Sequence, residues 1–175
     1  MTQPNDTDAT QRRERLAGWL QTTYMAQVAT RQLAEDVQKE AASDAVRALV
    51  DRVVADARRH EEVSKAILAA VGEAPGRTRE VGGVLTAKAR EAINYLYALS
   101  DGTLGTWRDL HQLYLDSSNS TFAFAVAHRL AQEAGEAEVV RLTEPVVDEK
   151  RRQRDELLAA LTDAAPAAVL RRSPV

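Results

Sequence analysis

The chain has 175 residues, 23 Lys and Arg against 26 Asp and Glu, and no cysteine, which fits one domain of mixed surface charge. A net charge of −3 gives nucleic acid no electrostatic footprint, and the lack of Cys excludes disulfides, thiolate ligands and a cysteine nucleophile. No apolar run approaches the roughly 20 residues of a bilayer span and no signal peptide follows Met1, so the expectation is a cytoplasmic protein without membrane or nucleic-acid partners.

Residues 1–9 are polar and are expected to be disordered. From Gln11 to Glu40, Leu16, Trp19, Leu20, Thr23, Gln27, Ala34 and Val37 share one helical face and predict a first helix. Ser43-Asp44 supplies an N-cap for a second. Its stripe runs Val46, Leu49, Val50, Val53, Asp56, Ala57, His60, Val63, Ile67, Ala70 and Val71, and Gly72 closes it. Pro75, Gly76, Gly82 and Gly83 mark a connector over 73–83. An extra amphipathic helix follows over 85–99, on Leu85, Ala89, Ala92, Ile93 and Leu96. Ser100-Asp101-Gly102 breaks it, and Thr106 is placed to cap a third bundle helix from Trp107 to Ala134. The weak helix formers Ser117 to Ser120 mark a point in that helix open to a kink. Gly135 ends it. A fourth helix runs from Glu136 to Leu161, with Val139, Leu142, Val146, Glu149, Gln153, Leu157 and Ala160 aligned and Pro145 demanding a bend or a restart. Residues 10–164 thus form one helical domain, and 165–175 are a tail.

The second and fourth helices echo each other. Val53-Val54-Ala55-Asp56-Ala57-Arg58-Arg59-His60 matches Val146-Val147-Asp148-Glu149-Lys150-Arg151-Arg152-Gln153 at a constant offset of 93 residues (53 to 146, 60 to 153). Val46 likewise maps to Val139 and Leu49 to Leu142. A duplicated hairpin with a long middle connection resembles the ferritin-like plan. The expected fold is therefore all-α: a ferritin-like antiparallel four-helix bundle with a long crossover, carrying the extra helix, between its second and third helices.

In ferritin-like carboxylate proteins each half gives a Glu from its first helix and Glu-x-x-His from its second. Here Ala57 stands three before His60, and Asp56 stands four before it; an i, i+4 pair also shares a face. The fourth helix offers Glu149 and Gln153 at the matching positions. The inward positions of the first helix (Thr23, Tyr24, Gln27) and the third (Ser120, Thr121, Phe124) hold no carboxylate. Asp56, His60, Glu149 and Gln153 are the candidate metal-ligating set, with iron, manganese or zinc as the possible ions. The plainer reading of the same residues is a polar core: a hydrogen-bonded His60, and Glu149 paired with Arg152, Gln153 or a residue of the second helix. His111 and His128 are isolated and are assigned no ligand role.

The run from Ala131-Gln132-Glu133-Ala134-Gly135-Glu136 to Asp148-Glu149-Lys150, with Asp56-x-x-x-His60 and Val71-Gly72 in the first half, resembles the bacterial stress-induced ferritin-like proteins. With the carboxylates missing, the resemblance implies a bundle without di-iron catalysis, acting as a binding, assembly or stress-associated module. Trp19, Trp107, Tyr95 and Tyr97 suggest a homo-oligomer. Two alternatives stand beside it. One is a metal-binding protein or oxidase with an atypical site from Asp56, His60 and Glu149. The other is a small-molecule-binding bundle with a cavity by Ala57, Ser120, Thr121 and Ala125.

Overall fold

The computed structural model describes residues 6–41, 43–76 and 105–170, and all regular structure within them is helical. Four long helices carry the fold: α1 (Asp6–Glu40), α2 (Asp44–Ala70), α3 (Gly105–Ala134) and α4 (Ala137–Ala165), followed by a π-helical turn, Pro166–Leu170. The extra helix expected over 85–99 lies outside the described residues, as do Tyr95 and Tyr97.

Both ends of the domain are more helical than the sequence pattern suggested. α1 starts at Asp6, inside the stretch expected to be disordered, where neither Gly nor Pro interrupts the chain. α4 continues past Leu161 through Ala164 and Ala165. At Pro166, which lacks the N–H that would extend the α ladder, the chain turns into the π-helical segment. α3 is unbroken through the serine run. The Ser118 and Thr121 hydroxyls donate to the carbonyls of Tyr114 and Ser117 one turn back, at 2.8 and 2.7 Å. α4 also runs through Pro145, which is exposed together with Arg141, so the carbonyl that loses its partner lies on the solvent side. Thr106 sits within α3 rather than capping it, and its hydroxyl donates to the Glu40 carbonyl at the end of α1 (3.3 Å).

α2 has the predicted N-cap, with the Ser43 side chain accepting from the Val46 N–H at 3.3 Å. Gly72 and Gly135 close α2 and α3 in the same way. Each has positive φ (82° and 74°), and the next residue, Glu73 or Glu136, donates its N–H to the carbonyl of Leu68 or Ala131 at 3.0 Å.

Contacts fix the direction of every helix. Arg31 meets Glu61 while Gln38 meets Asp51, so α1 and α2 are antiparallel. Trp19 meets Ala123 and Thr30 meets Asp116, so α1 and α3 are antiparallel. Trp107 meets Leu161 and His128 meets Thr143 in the α3–α4 pair, and Arg52 meets Glu156 and His60 meets Glu149 in the α2–α4 pair. The helices therefore form a square in the order up, down, down, up. α2 and α3 run the same way on a diagonal.

The core is divided along its length. One apolar cluster holds Val37, Leu49, Val50, Val53, Leu110, Leu113 and Leu157. The other, at the opposite end, holds Leu16, Leu20, Ile67, Leu68, Phe124, Val139 and Val146. Between them lie the buried polar side chains Gln27, His60, Ser117, Ser120, Lys150 and Gln153. A Cβ at Gly135 meets no atom within 4 Å, so Gly135→Ala adds only backbone strain. The substitution is expected to lower stability by about 1 kcal/mol, read as a reduced urea midpoint with unchanged m; an unchanged midpoint contradicts the capping role.

Candidate functional site

The polar layer follows from helical periodicity. On α4 the buried stripe is Val139, Thr143, Val146, Lys150, Gln153, Leu157 and Leu161, in steps of three and four. Glu149, which the sequence pattern placed on this stripe, sits on its flank and is half-buried. On α2, Val53, Ala57, His60 and Ser64 are buried and Asp56 is on the flank. The two carboxylates thus border the groove between α2 and α4, and His60 and Lys150 lie behind them.

His60 is 1% exposed. Its Nε2 is 2.8 Å from Glu149 Oε2. An ionised carboxylate only accepts, so Nε2 carries the proton and Nδ1 is a bare acceptor. Nδ1 has no hydrogen-bond partner among the described residues. Arg59 Nη2 donates to Glu149 Oε2 and to Asp56 Oδ1, each at 2.8 Å. Gln153 Nε2 donates to Asp56 Oδ2 and its Oε1 accepts from Ser117 Oγ, both at 3.4 Å. His60–Glu149 and Gln153–Asp56 are the same contact made twice, exchanged by the 93-residue offset. Across the layer, Gln27 donates to the Ala57 carbonyl at 2.8 Å and accepts from Ser120 Oγ at 3.0 Å.

Lys150 is the residue the sequence reading missed. It is fully buried, and its Nζ has no hydrogen-bond partner among the described residues. Nζ sits 5.3 Å from the centroid of the Phe124 ring, which the His60 ring approaches from a tilted position, 6.4 Å between centroids. Burial pushes the Lys150 amine down to about 7, against the pull of Asp56 in the other direction. Burial also pushes His60 down to about 4, helped by Lys150 and opposed by its bond to Glu149. The imidazole is therefore neutral at neutral pH. The signal for Lys150 was present in the chain: the 93-residue offset maps it onto Ala57, a position already assigned to the core.

These residues do not fit a di-iron carboxylate centre, which takes four carboxylates and two imidazoles. α1 and α3 bring Gln27 and Ser120 where carboxylates are needed, and Arg59 already engages both Asp56 and Glu149. Among the described residues no group of three or more His, Cys, Asp or Glu is arranged to hold a metal ion. Asp56 and His60 bond different side chains. Asp56 turns to Arg59 and Gln153, and His60 to Glu149. His111 stacks on Trp107 at 5.8 Å, and His128 bonds Thr143 and Gln132, each at 3.0 Å. A groove of about 140 Å³ opens between α2 and α4, lined by Leu49, Val53, Asp56, Glu149, Arg152 and Gln153. None of Ala57, Ser120, Thr121 and Ala125 lines it.

No protein-family model matches the chain, and no curated protein matches it. Its fold is similar to the crystal structure of a protein from Xanthomonas campestris pv. campestris, with a TM-score of 0.72 over 93% of this chain and 97% of that one, at 14% identity. Such a likeness speaks for the helical architecture alone. No helix among the described residues is long and apolar enough to cross a membrane.

The buried amine has a pH signature. Between about 7, where folded Lys150 loses its proton, and 10.5, where the unfolded residue does, the unfolded chain binds more protons, so stability rises with pH. Chemical denaturation across this range is expected to show a gain approaching about 1.4 kcal/mol per pH unit that Lys150→Met removes. Parallel curves for the two proteins contradict this burial.

Proposed function

We propose that this chain is a ferritin-like bundle that has given up di-iron catalysis and serves as a homo-oligomeric binding or assembly module, of the stress-associated kind its sequence resembles. The up, down, down, up order of the four helices supports the ferritin-like reading, as does the recurrence of one polar contact across the 93-residue offset. The observation that carries the loss of catalysis is the internal pairing of the would-be ligands. His60 is spent on Glu149, Arg59 bridges Glu149 and Asp56, and Gln27 and Ser120 satisfy each other. Both carboxylates that a redox metal would have to recruit are already paired with Arg59, and α1 and α3 bring Gln27 and Ser120 in place of others.

The assembly reading rests on the outer surface. Trp19 and Trp107 spend their indole N–H groups inside the bundle, on the carbonyls of Ala123 and Leu161, both at 3.0 Å. Phe122, 63% exposed and edge-on to Trp19, and Leu130, 38% exposed, lie on one side of α3 and are the apolar surface it offers to a second copy.

Protein purified without chelator is expected to hold less than about a tenth of an equivalent of iron, manganese or zinc, and to show no rise in melting temperature when these are added. Light scattering over a concentration series is expected to give a dimer or larger species, which Phe122→Ser weakens. Stoichiometric metal in the wild-type protein overturns the catalytic part of this reading, and a monomer at every concentration overturns the assembly part.

A further inference from the structure

We propose that Lys150 stands in for a metal: its buried side chain occupies the ligand position of the polar layer and makes the bundle refuse divalent cations. This deepens the reading above, since it names the residue that closes the site. Four observations carry it. Lys150 is fully buried, with no hydrogen-bond partner for Nζ among the described residues, an arrangement a folded chain keeps only at a cost. Its surroundings offer a cation one favourable contact, the face of the Phe124 ring 5.3 Å from Nζ. It stands three residues before Gln153, as Ala57 stands three before His60, the place where a Glu-x-x-His motif carries its carboxylate. The small Ala57, itself buried, occupies the equivalent position on α2, so one long side chain serves a layer that two carboxylates would otherwise share.

The charges in the layer make sense on this account. Asp56 and Glu149 bring negative charge to the edge of the layer, half-buried beside the groove. Arg59, 51% exposed, pairs with both from the solvent side, and Lys150 is the amine buried behind them. Phe124 lies against both the Lys150 amine and the His60 ring, so a divalent ion held by His60 and Glu149 would stand beside a buried amine. Lys39 and Lys65, by contrast, pair with carboxylates at the surface.

The test is equilibrium dialysis of the intact protein against Zn²⁺ and, separately, Mn²⁺, near neutral pH. Wild-type protein and the surface control Lys65→Met are expected to take up less than about a tenth of an equivalent. Lys150→Met, which keeps a buried stem of similar volume, is expected to take up at least severalfold more, and adding Glu149→Gln to it is expected to abolish the gain. Lys150→Glu, which places a carboxylate at the motif position, is expected to approach about one equivalent with a higher melting temperature in metal. Circular dichroism checks each fold, and Lys150→Met decides if Lys150→Glu does not fold. A wild type that already binds metal overturns both this inference and the loss of catalysis. A metal-free wild type whose folded Lys150→Met variant binds no more than Lys65→Met overturns the role of Lys150 alone.

Discussion

A lysine amine buried in the middle of a helical bundle, without a hydrogen bond among the described residues, constrains the rest of this structure. Removing an ammonium from water costs several kcal/mol even after the protein relaxes, so neighbouring residues must offset that cost or the chain must let the proton go. Here both occur. Phe124 presents its ring, Asp56 lies within electrostatic reach, and burial brings the amine's pKa down to about 7. The same neighbourhood keeps His60 neutral and bonded to Glu149, while Arg59 pairs with both carboxylates.

The layer also determines how the helices meet. An apolar bundle of Leu, Val and Ala tolerates sliding by a helical turn at modest cost, because one aliphatic contact replaces another. A slide here would separate Gln27 from Ser120, Gln153 from Ser117 and His60 from Glu149 together, leaving polar atoms buried and unpaired. Polar groups at single core positions are a known means of specifying register, and this layer lies between the two apolar clusters, where it ties all four helices.

Much of the architecture was legible in the sequence because it rests on periodicity and on a few special residues. The helix-forming stripes, the Ser43 cap, and the stops at Gly72 and Gly135 appear where local chemistry places them. The grouping of Asp56, His60, Glu149 and Gln153 at one level of the α2–α4 face was also readable, from the constant offset of 93. The errors share a cause. Local propensity argued for a break at Ser117 to Ser120 or a restart at Pro145, but both helices run on, with the Ser118 and Thr121 hydroxyls bonded to their own helix and the proline facing water. Lys150 was passed over because lysine normally marks a solvated face. Only the spacing of Val146, Lys150, Gln153 and Leu157 places it inside, and the neighbouring Glu149 competed for the same stripe.

The account turns on what lies between Glu149, His60 and Lys150. The most direct measurement is a crystal structure grown in excess Zn²⁺, with anomalous data collected at the zinc edge. The account predicts no anomalous peak within ligand distance of Glu149 and His60, with Lys150 Nζ still over Phe124. A zinc ion bound by Glu149 and His60, with the lysine displaced from the core, would contradict it.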